Sequence, residues 1–158
     1  MMEKGLLIAS IIGALLLVVY SCSMALKKGA ALGSLSETAY ISRSPRIFTV
    51  VMVVSAFLIS PRLIANAGGW AGFLGVIFWF GLCMVGASPH YKSIERTLHY
   101  TGAFVAAISS QLIVALCDAH LLGIWLLYIG YLFAVRKRHI FYEEVICFVV
   151  IMLFCILK

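Results

Sequence analysis

Charged residues are scarce in this chain. Only 11% of its 158 residues are charged, whereas 64% are hydrophobic, and the mean hydropathy is +1.11. A soluble domain is usually about half apolar and about a quarter charged. This composition excludes a soluble globular domain, a disordered tail and a small disulfide scaffold. It predicts an all-α, polytopic transmembrane bundle that forms one domain over residues 1–158, because helices satisfy the backbone of such apolar runs in lipid.

Proline is also rare, and the cysteines form no recognised motif. Pro45, Pro61 and Pro89 lie at the edges of apolar runs, where we expect them to mark helix boundaries. The five cysteines are scattered without a C-x-x-C motif, which argues against a metal site, a redox site or a disulfide framework. No cofactor is predicted. The net charge of +6 comes without a patch of interleaved aromatic and basic residues, so nucleic acid is not an expected partner.

Six apolar runs dominate what is present. They predict six spans, at residues 5–26, 47–65, 69–85, 100–117, 121–135 and 145–157. The fifth run is the weakest, because its 15 residues reach only about 22 Å of a hydrocarbon core of about 30 Å. We expect it to be tilted or re-entrant, and we expect a turn before it near residues 117–120.

Small residues recur at helical spacing in three of the runs. They are Ala9 and Gly13, then Gly68, Gly72 and Gly75, and then Gly102, Ala106 and Ser110. Such stripes let helix backbones approach closely in lipid. We expect them to pack the bundle within one chain, and a dimer face is the alternative. Ser109, Ser110 and Gln111 form a polar patch in the fourth run, where interhelical hydrogen bonding or a substrate-facing role is expected.

Basic residues are distributed unevenly between the loops. Nine of the 12 follow the first, third and fifth runs. Since positive residues are retained on the cytoplasmic side, this bias predicts that both termini lie outside. The compact loops are typical of a bacterial inner membrane protein. The last basic cluster, Arg136, Lys137 and Arg138, is expected to contact anionic lipid headgroups.

The first run has a second interpretation. Its apolar stretch ending at Cys22 resembles a bacterial lipoprotein signal, in which that cysteine would be acylated. Tyr20 fits this motif poorly, and cleavage would leave the lysines and arginines that follow outside the membrane. We therefore expect the run to be retained as the first span.

Ionisable residues gather in the same three loops, which lie on one side of any six-span bundle. Their side chains can therefore converge. The predicted polar site comprises Ser36, Glu37, His90, Glu95, Arg96 and His99. A histidine at headgroup level suits a proton relay, a metal ligand or a phosphate contact. Asp118 and His120 form a smaller candidate site on the opposite side, where capping of a turn is the simpler interpretation.

Two short parts of the chain resemble a known family. Residues 34–38 (SLSET) followed by residues 44–48 (SPRIF) are similar to the first-loop signature of the DRAM-like six-span membrane proteins. Residues 93–103 (SIERTLHYTGA) are similar to the beginning of that family's fourth span, with Glu95 as a loose match to its acid before the histidine. The resemblance implies handling or modulation of membrane lipids. It also implies an extracytoplasmic first loop, which conflicts with the charge bias.

Three functions follow from these features. The first is a non-enzymatic protein that binds or modulates membrane lipids, which are its expected partners. The second is a metal- or serine-dependent lipid hydrolase with a cytoplasmic-side site, although no G-x-S-x-G motif and no zinc-type spacing occurs. The third is a small transporter or a structural subunit, as a homo-oligomer or in a membrane complex. Few charged residues lie deep in the runs, which argues against ion transport.

Overall fold

The computed structural model describes residues 2–41, 44–135 and 140–158. These residues form helices and no strand. The helices are α1 (Met2–Lys28), α2 (Thr38–Ile41), α3 (Pro45–Ala67), α4 (Gly72–Ala87), α5 (Glu95–Cys117), α6 (Gly123–Val135) and α7 (Ile140–Leu157). Short 3-10 helical turns occur at Gly69–Ala71, Ser88–His90 and Ala119–Leu122. The predicted all-α bundle is confirmed, and α5 ends at Cys117, where a turn was expected.

Five helical segments are long and apolar enough to cross a membrane. They are α1, α3, α5, α7 and the segment Gly69–His90, which contains α4. The remaining apolar segment, Ala119–Val135, is shorter. By length and composition the described residues therefore contain five candidate spans, which is compatible with an integral membrane protein. The sixth span stays a prediction.

The short α6 belongs to a connection between the two ends of the bundle. We call residues 29–41 the first loop. α5 begins beside this loop, where the hydroxyl of Tyr40 donates a hydrogen bond to Glu95. α7 begins at the same end, because the N–H of Phe141 donates to the carbonyl of Gly33 at 3.1 Å. The chain between α5 and α7 therefore returns from the far end of the bundle to the first-loop end.

The helices pack largely in chain order. α1 packs on α3, α3 on α4, and α4 on α5, while α7 closes the bundle against α1, α3 and α5. Fully buried side chains such as Ala56, Ile59, Ile113 and Val150 form its centre. α6 packs loosely at the side and leaves Leu127 76% exposed. Such an apolar outer surface is what a bundle presents to lipid.

Glycines set a close helix crossing between α4 and α5. A methyl group on Gly81 would lie 2.6 Å from the backbone nitrogen of Ala106 and 2.7 Å from the carbonyl oxygen of Gly102. The stripe that includes Gly102 and Ala106 therefore packs within the chain, as predicted. Gly13 packs in the same way on α3. Gly68 does not belong to a packing stripe, because it has a φ of 61° in the turn after α3 and no atom of the described chain lies within 4 Å of an added methyl group.

The prediction that Pro61 marks a helix boundary is wrong. Pro61 lies inside α3, which continues to Ala67. A proline removes one backbone N–H from the helix, but tertiary contacts hold the turns that follow it. Arg62 Nε donates to the carbonyl of Cys155 at 3.2 Å, and Leu63 is fully buried. These contacts fasten the last turns of α3 to the last turn of α7.

Candidate functional site

The first loop lies across one end of the bundle, and three of its contacts fasten it to α1 and α7. The N–H of Leu35 donates to the carboxylate of Glu144 at 2.6 Å. The hydroxyl of Tyr20 donates to the carbonyl of Thr38 at 3.2 Å. The third contact is the backbone hydrogen bond from α7 to Gly33 described above. The loop therefore connects the end of α1 to the beginning of α7.

Ser34 and Glu37 shape this loop by a reciprocal pair of hydrogen bonds. Ser34 Oγ accepts from the N–H of Glu37 at 3.1 Å, and Glu37 Oε2 accepts from the N–H of Gly33 at 2.6 Å. The arrangement resembles a capping box, in which a serine and a glutamate three residues later satisfy backbone donors at a helix start. Here the short α2 follows it. The S-x-x-E motif of the first loop is thus accounted for by local structure.

Glu37 also pairs with a cation. Its Oε1 lies 2.6 Å from Lys28 Nζ at the end of α1, and about a third of each side chain is exposed. The hydrogen bond from Lys28, followed by the one from Gly33, lowers the pKa of Glu37 below its ordinary value. Glu37 is therefore a carboxylate at neutral pH.

A polar cavity of about 490 Å³ opens beside the first loop, and we call it the vestibule. Its walls include five of the six residues predicted for the polar site: Ser36, Glu37, Glu95, Arg96 and His99. The sixth, His90, is exposed and lies against α3, with its Nε2 2.9 Å from the hydroxyl of Thr49. The structure therefore brings five of the predicted residues together and places His90 outside the vestibule.

Charges of both signs line the vestibule. Glu95 accepts a hydrogen bond from Tyr40, and this bond raises the pKa of Tyr40 to about 12, because the carboxylate favours the protonated phenol. The guanidinium of Arg96 lies 5.7 Å above the ring of Tyr100, within the range of a cation–π contact. Lys92 lines the same space. The vestibule thus offers cations and carboxylates at the start of α5.

A larger, mainly apolar cavity of about 730 Å³ adjoins the vestibule, and we call it the chain cavity. It lies among α3, α4, α5, α6 and α7, and its walls include Phe48, Met52, Phe78, Leu82, Phe148 and Ile151. Four residues line both spaces, namely Ser34, Ser36, His99 and Tyr100. Because they share these walls, the polar space and the apolar space lie against each other. The volume is within the range of ordinary ligand pockets, about 300–1,000 Å³.

The chain cavity also reaches the outer surface of the bundle. Tyr100 and Phe104 line it and are 60% and 68% exposed, so they face both the cavity and the surroundings of α5. In a bilayer these surroundings are lipid.

His99 occupies the boundary between the vestibule and the chain cavity. The buried hydroxyl of Ser88 donates its one proton to the carbonyl of Val85 at 2.8 Å. With the hydroxyl proton on Val85, the 3.2 Å contact between Ser88 Oγ and His99 Nδ1 is one that the imidazole donates. This network assigns the proton of neutral His99 to Nδ1 and leaves Nε2 as a hydrogen-bond acceptor.

Two carboxylates of α7 line the chain cavity and were not among the predicted site residues. Glu144 accepts from the N–H of Leu35, and Glu143 Oε1 accepts from the hydroxyl of Tyr128 at 3.2 Å. Both follow the fifth apolar run, in a loop predicted to lie on the same side as the polar site. That position in the sequence could have indicated that they belong to the site, although only the fold shows that they meet the first loop.

The remaining candidates lie elsewhere. His120 Nδ1 is 3.6 Å from Asp118 Oδ1 in the turn after α5, at the opposite end of the bundle, and the His120 side chain is fully exposed. Gln111 accepts a hydrogen bond from Trp125 Nε1 at 3.0 Å, which links α5 to α6 as expected for an interhelical contact. The predicted headgroup contacts, Arg136, Lys137 and Arg138, lie outside the described residues.

Metal chemistry has no candidate centre in the part of the chain that the structure describes. There, no group of three or more histidine, cysteine, aspartate or glutamate side chains is arranged to hold an ion.

No protein-family model, no curated protein and no solved structure matches the chain. The resemblance to the DRAM-like family therefore stays a prediction. The site must be interpreted from its own geometry.

Proposed function

We propose that this chain is an integral membrane protein that binds a membrane lipid without catalysing a reaction. The headgroup would lie in the vestibule and an acyl chain in the chain cavity. The observation that carries the proposal is the shared wall of Ser34, Ser36, His99 and Tyr100, which joins a charged space to an apolar one. An amphiphile is the ligand class that matches both halves at once.

The two halves contribute differently to affinity. A lipid chain that moves from the bilayer into the chain cavity gains little hydrophobic free energy, because lipid is already apolar. The headgroup contacts can contribute more, since hydrogen bonds to charged groups are worth about 1.5–3 kcal/mol each. We therefore expect the cavity to determine whether a chain fits and the vestibule to determine which lipid binds.

A serine hydrolase is the weaker proposal. A nucleophilic serine needs a base within hydrogen-bond reach and access to substrate. Ser88 contacts His99, but it is 1% exposed and its proton is donated to Val85. Among the described residues, the hydroxyl of Ser36 pairs with that of Ser34 at 2.9 Å instead of with a histidine.

Two matched substitutions on α5 test lipid binding. Ala107 lines the chain cavity, and Ala115 is an exposed alanine of the same helix that does not line it. Ala107→Phe should fill part of the cavity and reduce the lipid that copurifies with the protein. Ala115→Phe should leave that lipid unchanged.

Native mass spectrometry of the two variants and the wild type, released from mild detergent, measures this occupancy. Circular dichroism verifies that all three are equally helical. Equal lipid occupancy in the two variants would refute binding in the chain cavity.

We also propose that the protein lies in a bacterial inner membrane with both termini outside. The proposal rests on the basic residues that follow the first, third and fifth apolar runs. An alkaline phosphatase fused after Lys158 should be active, since this enzyme folds only outside the cytoplasm. An inactive phosphatase, together with a fluorescent cytoplasmic reporter at the same position, would reverse the orientation and favour the family resemblance.

A further inference from the structure

The charges around the site indicate a class of headgroup, an inference that rests on the proposed lipid binding. We propose that the site selects a phospholipid whose headgroup carries a primary amine. Such a headgroup combines a phosphate with a cation that donates N–H hydrogen bonds. The argument depends on where the cations and the acceptors lie around the boundary between the vestibule and the chain cavity.

The cations lie on the α5 side. Lys92 and Arg96 line the vestibule, and within the described residues neither forms an ion pair with a carboxylate. Arg96 is also held against the ring of Tyr100. A guanidinium and an ammonium that face a shared space suit a phosphate, because arginine binds phosphate oxygens through paired N–H donors. This side of the site therefore accepts the phosphate.

Two carboxylates line the vestibule together with these cations, but Glu37 pairs with Lys28 and Glu95 accepts from Tyr40. Two further acceptors lie on the α7 side and at the boundary. Glu144 presents a carboxyl group with one oxygen engaged by Leu35. His99 has Nε2 as its acceptor, because its Nδ1 donates to Ser88. A primary ammonium has three N–H donors, and each of these groups can accept one of them. A headgroup that lies across the boundary, with its phosphate toward α5 and its amine toward α7, meets both sides.

Other common headgroups fit only one side. A quaternary ammonium has no N–H to donate to His99 Nε2, and it is recognised by aromatic cages. A hydroxylated anionic headgroup brings no positive charge to Glu144. Both would leave Glu144 with its hydrogen bond from Leu35 but without a cation, at the cost of its desolvation. The site therefore disfavours both classes.

A competition in nanodiscs tests the inference. The probes are phosphatidylethanolamine, phosphatidylcholine and phosphatidylglycerol with identical acyl chains, and native mass spectrometry measures which lipid is retained. We expect the wild type to prefer phosphatidylethanolamine about tenfold, which corresponds to the loss of about one charge-assisted hydrogen bond in the other two. Equal retention of the three lipids, or a preference for either of the others, would overturn the inference.

Substitutions assign the preference to named groups. Glu144→Gln keeps an acceptor for Leu35 but removes the charge, and should abolish the preference for phosphatidylethanolamine over phosphatidylcholine. Glu3→Gln, at the start of α1, is the matched control and should retain it. Arg96→Gln should weaken all three phospholipids alike, because it removes a phosphate contact. A preference that survives in Glu144→Gln would overturn the assignment of the amine to this carboxylate.

These experiments distinguish a failure of this inference from a failure of the proposed lipid binding. If no lipid is retained, or if Ala107→Phe retains as much as Ala115→Phe, the proposed function fails. If lipid is retained without headgroup selectivity, only the inference fails. Phosphoethanolamine without acyl chains should not displace bound lipid, and displacement at a comparable concentration would overturn a lipid as the occupant.

Discussion

Replacing Gly81 by alanine is expected to destabilise the bundle at the crossing of α4 and α5. The added methyl group would lie 2.6 Å from the backbone nitrogen of Ala106 and 2.7 Å from the carbonyl oxygen of Gly102. Ordinary van der Waals contact begins at 3.4 Å. Both neighbours are backbone atoms of α5 that cannot rotate away. The two helices would have to separate by almost an ångström.

The expected cost follows from this separation. A gap of about 0.5–1 Å loses a quarter to a half of the dispersion attraction between the atoms concerned. In lipid this attraction is a principal contribution to helix association, because the hydrophobic effect does not favour helix pairs there. Overpacking typically costs about 1–3 kcal/mol. Alanine recovers up to about 1 kcal/mol through its higher helix propensity than glycine. We therefore expect the free energy of unfolding to fall by about 1–2 kcal/mol.

Gly130 provides the matched control. It lies in α6, and apart from the backbone of that helix no atom of the described residues is within 4 Å of the position that an added methyl group would take. Gly130→Ala should therefore be neutral or stabilising. Unfolding in mixed micelles with an increasing fraction of sodium dodecyl sulfate, followed by circular dichroism, gives the free energy of unfolding for both variants.

A double substitution sharpens this comparison. A methyl group on Gly102 would lie 2.7 Å from the carbonyl oxygen of Gly81, so the same helix separation relieves both clashes. The double variant should cost less than the sum of the two single variants. If Gly81→Ala is as stable as Gly130→Ala, the close approach of α4 and α5 is refuted.

Three further predictions concern the ends of the bundle. Arg62→Met should lower the free energy of unfolding by about 1–2 kcal/mol in the same titration, because it removes a cation and a hydrogen bond from the last turn of α7; an unchanged value would contradict this role. The Lys28–Glu37 pair should contribute up to about 1 kcal/mol, since it is partly exposed. Because the pKa of Glu37 is lowered, this contribution is present above the ordinary pKa of 4.5 and is lost as pH falls through the lowered value. Lys28→Met should therefore reduce the loss of stability at acidic pH. An unchanged dependence of stability on acidic pH would exclude the pair. The pKa of Tyr40 is raised to about 12, so its bond to Glu95 stabilises the folded state fully below pH 10 and is lost as pH rises to about 12. In a titration followed by tyrosinate absorbance, Tyr40→Phe should remove one phenol that ionises near pH 12. Loss of a phenol that ionises near pH 10 instead would disprove the contact.

Local features predicted the helical segments well and their ends less well. The run at 121–135 is too short for a full span, and its helix is indeed the short one, because run length limits helix length directly. Pro61 was misinterpreted, because a missing N–H weakens a helix locally whereas burial of Leu63 and the Arg62 contact hold it together from outside. Propensity alone does not include such contacts.

The candidate site, too, was predicted only in part from local sequence features. Loop alternation was enough to place Glu37, Glu95 and His99 on one side of the bundle. It did not distinguish them from His90, which belongs to the same set of loops but faces α3. Which way a side chain points from a short turn depends on the packing of the turn, and packing is not a property of the local sequence.

The sequence by itself determined that this chain is a helical bundle of membrane character with its ionisable groups concentrated at one end. Hydrophobic run length and the positions of charges decide those properties, and both can be counted along the chain. Only the tertiary structure decided that Leu35 meets Glu144, 109 residues away, and that α4 and α5 touch through their backbones at Gly81. The chain cavity exists because α3, α4, α5, α6 and α7 surround it. A space enclosed by five helices is a property of their mutual packing, which no single segment carries.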